Sequence, residues 1–286
     1  MEPGESEPSV LGPGKTKIVL EAGKIDREYF RDLWRYRELF YVLAWRDVSV
    51  RYKQTAVGIA WAILRPAVTT IVFTLVFGRL GGFSSGGVPY PVMVLAGMLP
   101  WQLFASALTD SGQSLVANSN LITKVYFPRI IIPGSSLVTS LVDFTISGVL
   151  LAIVMIVYKV APGWQIIALP LFVLVALVAA AGIGTWVASL NVKYRDFSFV
   201  VPFIVQLGLY ISPVGFSTAV VPEKWRLLYS LNPMVGVIDG FRWCLLGGHT
   251  NVGSSGFLTS LVIITVVALT GVRHFRRTER AFADII

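Results

Sequence analysis

Apolar residues gather along this chain in long unbroken runs and do not alternate with polar ones. Six runs stand out: Val57 to Phe77, Val92 to Leu108, Ile130 to Tyr158, Ile166 to Leu190, Phe199 to Phe216 and Phe257 to Val272. Each is near or above the ~20 residues that carry a helix across a hydrocarbon layer of ~30 Å. Barrel strands would show polar residues at every second position, and these runs do not. The pattern predicts an all-α membrane protein with six transmembrane helices.

Composition points the same way. Of 286 residues, 55% are hydrophobic and 14% charged, and the mean hydropathy is +0.70, which leaves a soluble core too little polar surface to cover it. Lysine and arginine then set the expected orientation. Residues 1–56 hold Lys15, Lys17, Lys24, Arg27, Arg31, Arg35, Arg37, Arg46, Arg51 and Lys53, and the C-terminal tail holds Arg273, Arg276, Arg277 and Arg280. Both termini are expected in the cytoplasm, together with the loops holding Lys124 with Arg129 and Lys193 with Arg195. Arg79, Lys159, Lys224, Arg226 and Arg242 are expected outside. The net charge of +8 therefore reads as topology and contact with anionic membrane lipids. A nucleic-acid partner is not expected, because no recognition module accompanies the charge.

Division by composition gives a disordered cytoplasmic tail over 1–25, an amphipathic interface helix with its lead-in over 26–56, a six-span domain over 57–273 and a cytoplasmic tail over 274–286. The opening stretch is acidic and rich in Pro and Gly, with no apolar core of a signal peptide. Gly12-Pro13-Gly14-Lys15-Thr16 resembles the end of a phosphate-binding loop, but Ser9 stands where the motif needs Gly and no apolar strand precedes it, so a chance match in a flexible tail is the better reading. Cys244 is the only cysteine, His249 and His274 are far apart, and no metal site is expected. Neither is a catalytic one: paired carboxylates, a nucleophile beside a base and a metalloprotease motif are all missing.

Ionisable groups within the runs are few. Arg65 lies just before Pro66, where it can snorkel to the interface, and Asp143 lies inside the third run, where an interhelical hydrogen bond serves as well as a transport role. Two isolated charges are a poor basis for an ion-coupled carrier, which needs a relay or a coordinating cluster.

Two segments outside the runs carry more information. Tyr29, Phe30, Leu33, Trp34, Tyr36, Leu39, Phe40 and Leu43 recur mostly at helical spacing between Arg27, Arg31, Asp32, Arg35 and Glu38, the pattern of an amphipathic helix on a lipid surface or a partner. Between runs two and three, Asn118 to Arg129 predicts a short helix that an Asn can cap and Pro128 must end. Its residues Leu121, Ile122, Val125, Tyr126 and Phe127 call for a protein groove or the headgroup layer.

Four stretches in order, RDVSVRYKQTAVGIAWAILRP, LITKVYFPRIIIP, VKYRDF and SLNPM, resemble the permease subunits of ABC exporters for surface polysaccharides, the O-antigen, capsule and teichoic-acid type known as the Wzm or TagG family. The likeness covers roughly residues 30 to 280. It implies a homodimer in the cytoplasmic (inner) membrane, two copies of a separate cytoplasmic ATPase subunit that binds ATP and Mg, and a lipid-linked polysaccharide, most of all an O-antigen, as cargo; this chain would hold no cofactor itself. It further implies that Asn120, Leu121, Ile122, Lys124, Val125, Tyr126 and Phe127 form an ATPase-coupling helix, and Arg27 to Ala44 an interface helix.

Between the last two runs, Pro222, Pro233 and Gly247-Gly248 cut an apolar stretch into Glu223 to Leu231 and Met234 to Leu246, each too short to span. Re-entrant or surface helices are expected there. The resemblance makes them a periplasmic gate, with Trp225, Tyr229, Asn232 and Pro233 as its residues. For a glycan conduit, run one aligns Trp61, Arg65, Thr69 and Phe73, and run five aligns Phe199, Phe203, Gln206 and Tyr210, at three- and four-residue spacing. Aromatic faces suit the C–H faces of sugars, and they serve helix packing or lipid contact equally well. Run four, with Ala176, Ala179, Ala180, Ala181, Gly182, Gly184 and Ala188, reads as a close-packing face. Rival readings are an ion-coupled secondary transporter and a membrane enzyme acting on lipid-linked sugars.

Overall fold

A computed structural model describes residues 27–53, 58–247, 254–279 and 282; the tail with its GPGKT stretch, the side chains of Tyr29 and Phe30, and His249 lie outside the described part. In chain order the helices are α1 (Arg27–Arg35), α2 (Arg37–Lys53), α3 (Gly58–Phe73), α4 (Tyr90–Ala117), α5 (Ser119–Lys124), α6 (Ile131–Val157), α7 (Leu169–Lys193), α8 (Phe197–Ile211), α9 (Glu223–Tyr229), α10 (Pro233–Leu246) and α11 (Ser254–Thr278). A π-helical segment over Thr74–Leu80 prolongs α3, and a 3-10 turn over Trp164–Ala168 leads into α7. Among the described residues there is no strand.

Five of these elements are long and apolar enough to cross a membrane: Ile59–Leu80, Tyr90–Ala117, Ile131–Val157, Trp164–Lys193 and Gly256–Thr278. The run expected to form a sixth span is helical only over Phe197–Ile211, about 22 Å at ~1.5 Å per residue. Pro213 is the cause, since the residue before a proline is driven out of the α region, and Ser212 is extended at φ −76° and ψ 153°. The chain after it turns at Ser212 to Val214, where Val214 N donates to Ser212 O at 2.7 Å. It brings Gly215 to the first turn of α4, where the Tyr90 hydroxyl donates to the Gly215 carbonyl and Phe73 and Phe77 pack on the glycine.

α4 is the hub of the bundle. Of its most apolar stretch 78% is buried, against 17 to 28% in the other four spans, and it packs mainly on α7, α6 and α10. Small residues permit this closeness, which matters because helices in lipid associate by packing and hydrogen bonds more than by hydrophobic expulsion. A Cβ on Gly184 would lie 2.6 Å from Ser111 Oγ of α4, and one on Gly182 would lie 2.6 Å from Ala268 Cα of α11. The run-four face read from its alanines and glycines is thus the seam joining α7 to two neighbours.

At the α5 end of the bundle a second cluster gathers Leu43 of α2, Leu115 of α4, Ile122 of α5, Phe127, Ile131, Ile132, Ala188, Val192, Phe275 and Phe282. The amphipathic segment and the end of α11 therefore lie at the same end of the molecule. That segment is not one helix but two, divided by a turn at Tyr36, and it runs on to Lys53. It also climbs: Arg46 donates to Asn118 at the foot of α4, at 2.7 Å, while Arg51 reaches Asp110 two turns higher, at 3.0 Å.

Candidate functional site

Three features of this bundle can carry function: the knob at the α5 end, a charged cluster above it, and a dipping hairpin at the opposite end with an exposed aromatic strip beside it. The knob is the turn between α4 and α6. Asn118 stands at the N-cap of α5, but its side chain makes no cap; its amide nitrogen donates to Ser114 O at 2.8 Å and its oxygen accepts from Arg46. The helix ends at Lys124, before Pro128 requires it, because Val125 is already extended at ψ 135°. Ile122 and Phe127, each 3% exposed, point inward into the cluster with Leu43 and Phe275. Asn120, Thr123, Lys124, Val125 and Tyr126 face outward, with Leu121 half-buried. The knob is therefore divided into two internal anchors and an outward strip with Val125 and Tyr126 as its apolar part. Two residues expected in an outside groove are occupied in holding the knob to its own chain.

Above the knob, Asp143 is not a lone polar group. Arg51 Nη1 lies 3.0 Å from Asp110 Oδ2 and 3.1 Å from Asp143 Oδ2, and the Tyr52 hydroxyl donates to Asp143. Ser106 donates to Asp110 at 3.3 Å, and Ser140 Oγ lies 3.4 Å from the same carboxylate oxygen. Burial draws the Arg51 guanidinium toward neutrality, yet the two carboxylates outweigh it and hold the group above its ordinary value; burial and the bond to Asp143 raise Tyr52. Asp110 was not picked out from the sequence. The signal available was the helical spacing of Ser106 with Asp110 and of Ser140 with Asp143, polar pairs on one face of otherwise apolar spans. From Tyr90 to Asp110 is about 30 Å of helix, the thickness of a hydrocarbon layer, so the cluster sits at the membrane boundary with the knob about 10 Å beyond it.

The aromatic strip is mostly open. Trp61 and Arg65 on α3 and Phe199, Phe203, Gln206 and Tyr210 on α8 are exposed. Thr69 is half-buried and donates back to Arg65 O at 2.9 Å. Phe73 does not join them: at 4% exposure it packs edge-on to Phe77, with ring centres 5.3 Å apart, and its centre is 6.0 Å from that of Tyr210. It ties α3 to α8 and leaves the strip on either side of it.

At the end opposite the knob, α9 and α10 form a hairpin that dips into the bundle and returns. Its tip, Asn232-Pro233, shares a cleft of about 380 Å³ with Trp101, Phe104 and Leu108 from the middle of α4, while farther along α10 Trp243 meets Trp164 at the mouth of α7, ring centres 6.2 Å apart. Local chemistry explains the turn: Asn232 Oδ1 accepts from Met234 N at 3.0 Å as an N-cap, Pro233 occupies the first helical position, and Asn232 Nδ2 donates to Ser212 Oγ at 2.9 Å. Tyr229 donates to Ile211 O at 2.7 Å, and Trp225 is exposed.

Arg242, one of the charges expected on the outer side, is almost wholly buried on α10. Its Nη2 donates to Val214 O at 2.8 Å, its Nη1 to Phe216 O at 2.9 Å, and its Nε to Met93 O at 3.3 Å. Non-helical backbone survives at membrane depth only where protein satisfies it, and in the turn after α8 this guanidinium serves two carbonyls while Tyr90 serves the one between them. Gly97 makes the room, since a Cβ there would lie 2.8 Å from Nη2. Nearby, Thr218 donates to the Asp239 carboxylate at 2.6 Å. Sequence inspection finds no warning of this clamp, because its acceptors are backbone.

Comparison with known proteins adds identity to this geometry. The family model described as "ABC-2 type transporter" matches residues 38–246. Among similar curated proteins is an O-antigen export system permease protein RfbA of Klebsiella pneumoniae, 27% identical over 252 residues, covering 87% of this chain and 95% of that protein. The protein of the same name from Myxococcus xanthus is 27% identical over 260 residues, covering 90% of this chain and 98% of its own. The polysialic acid transport protein KpsM of Escherichia coli is 24% identical over 238 residues, covering 82% and 92%.

Proposed function

This chain belongs to the ABC-2 type transporter family, and we propose that it is the transmembrane permease of an exporter that moves a lipid-linked surface polysaccharide, of O-antigen type, across the cytoplasmic membrane. The observation that carries this reading is the extent of the likeness: two O-antigen export permeases correspond to this chain over 95% and 98% of their own lengths and 87% and 90% of its length. The likeness to KpsM, named for polysialic acid transport, supports surface polysaccharide as the broader cargo class.

The working unit in this reading is a homodimer with two separate ATPase subunits, which bind the ATP and Mg. Both ends of the chain lie in the cytoplasm, as the lysine and arginine bias favours, so α5 faces the ATPase and the α9–α10 hairpin faces the periplasm. The outward strip of α5 with Val125 and Tyr126 docks in an ATPase groove, while Ile122 and Phe127 transmit the push to the cluster beneath α2, α4 and α11. Glycan passes along the exposed strip of Trp61, Arg65, Phe199, Phe203, Gln206 and Tyr210, whose aromatic faces and scattered polar groups let sugar rings slide without tight binding. The hairpin around Trp225, Tyr229, Asn232 and Pro233 gates the exit.

An ion-coupled carrier gains nothing from the Asp110–Asp143 pair, since both carboxylates engage Arg51 at the membrane boundary and not at mid-depth, where carriers bind their ions. Deleting the chain from its host tests the reading. Surface glycan should vanish while its lipid-linked form, of unchanged structure, accumulates on the cytoplasmic side. Accumulation of a chemically different glycan would mean that the chain is an enzyme on the glycan and would overturn the permease reading.

A further inference from the structure

The two helices that carry α5 pack on each other, with Ser140 of α6 bonded to Ser106 of α4 at 3.1 Å, and above α5 they also share one atom of a third helix. Asp110 on α4 and Asp143 on α6 both meet Arg51 Nη1, which comes from a third element, α2. Each bond is a charge-assisted one that weakens as it lengthens past ~3 Å, so both can hold only while the two carboxylate oxygens are within about 6 Å of each other. Spreading the feet of α4 and α6 must break one of them.

The geometry also says which. Asp143 is held twice by α2, through Arg51 and through the Tyr52 hydroxyl, and α2 packs closely along α6. Asp110 has a single bond to α2, and Ser106 on its own helix, at 3.3 Å, keeps it hydrogen-bonded when the guanidinium leaves; its 3.4 Å contact with Ser140 of α6 would lengthen with the same movement. All three charged side chains retain some solvent access, with relative exposures of 38% for Arg51, 30% for Asp110 and 27% for Asp143, so a released carboxylate can be hydrated. Release is thus reversible.

We propose that Arg51 is the positioning residue of a clasp between α2 and the α4–α5–α6 hairpin: a load on α5 opens the Arg51–Asp110 bond while α2 stays with α6, and unloading closes it. This rests on the reading of α5 as the ATPase contact. A static anchor would need only one of the two carboxylates, whereas a shared nitrogen makes the strength of the tie depend on the α4–α6 separation.

The test uses the full complex with its ATPase. Asp110→Asn and Arg51→Gln should co-purify with the ATPase and hydrolyse ATP, yet export severalfold less glycan per ATP; Arg51→Lys, which keeps a cation between the carboxylates, should restore most of that ratio. Spin labels at the exposed positions Gln113 and Leu141, in a Cys244→Ala background, read the separation of α4 and α6 directly. The parent should lengthen it only with nucleotide trapped, and Asp110→Asn should show the longer distance without nucleotide. An unchanged export ratio in both neutral variants, or a parent distance that nucleotide does not alter, overturns the clasp. Loss of assembly in all three variants makes the cluster a structural anchor and overturns it too. Failure of the α5 reading shows separately, as ATPase association that survives the double change Val125→Ala and Tyr126→Ala.

Discussion

Replacing Arg242 by methionine keeps most of the side-chain volume and removes every donor. Val214 O and Phe216 O, which receive Arg242 at 2.8 and 2.9 Å, lose a charged partner, the first in a fully buried residue and the second in a half-buried one, and Met93 O loses a second bond beyond its helical one. Each buried carbonyl left without its partner costs about 1–3 kcal/mol, or about 2–6 kcal/mol for the first two. Removing a buried guanidinium relieves its desolvation and offsets part of this, which leaves a net loss of about 1–4 kcal/mol. The loss should be local, because the bonds join α10 to the stretch after α8 and to α4. Cys244, two residues along and fully buried, is the chain's only cysteine and so reports that opening without any engineered label. At ~1.4 kcal/mol per tenfold, its labelling by a small thiol reagent in detergent should accelerate roughly 5- to 700-fold in Arg242→Met, and the thermal midpoint should fall. Labelling within about twofold of the parent, with an unchanged midpoint, would refute the argument that this arginine holds the hairpin down.

Three further outcomes follow from the packing. Ile122→Ala should destabilise the purified chain by about 2–5 kcal/mol, whereas Tyr126→Ala should leave its thermal midpoint unchanged and reduce co-purification with the ATPase. Gly184→Leu should abolish folded, monodisperse protein in size-exclusion chromatography, because even a Cβ there meets Ser111 Oγ at 2.6 Å. Trp61→Ala, Phe203→Ala and Tyr210→Ala combined should slow export in cells while assembly, read by co-purification, stays intact; normal export would move the conduit elsewhere.

Much of the fold is legible in one dimension because lipid exposure is a matter of composition. Runs one, two, three, four and six correspond to α3, α4, α6, α7 and α11, and the breaks at Pro222 and Pro233 mark where the hairpin elements begin. Run five was overextended since apolar content says nothing about where Pro213 ends the helix. The α5 knob was legible as a short apolar element, but which of its residues face inward depends on Leu43, Phe275 and Phe282, which come from the two far ends of the chain. The same holds for the charged cluster. Asp143 alone looks like an isolated cost; its role appears only when α2 rises beside α6 and delivers Arg51, and that rise is a packing outcome with no periodicity of its own. The burial of Arg242 was not legible because a lysine and arginine tally counts position in sequence, while this arginine is drawn inward by bare carbonyls that no side-chain pattern reveals.

The central claim is that this chain carries a lipid-linked glycan across a membrane only when an ATPase drives it from the α5 end. Proteoliposomes holding the purified chain, with or without its ATPase, and a glycan-lipid labelled on the face that presents α5 test this directly. The account predicts that glycan becomes accessible on the opposite face only when ATPase, ATP and Mg are all present, and that the double change Val125→Ala and Tyr126→Ala abolishes the transfer. Transfer by the chain alone, or transfer driven by an ion gradient without ATP, would contradict it.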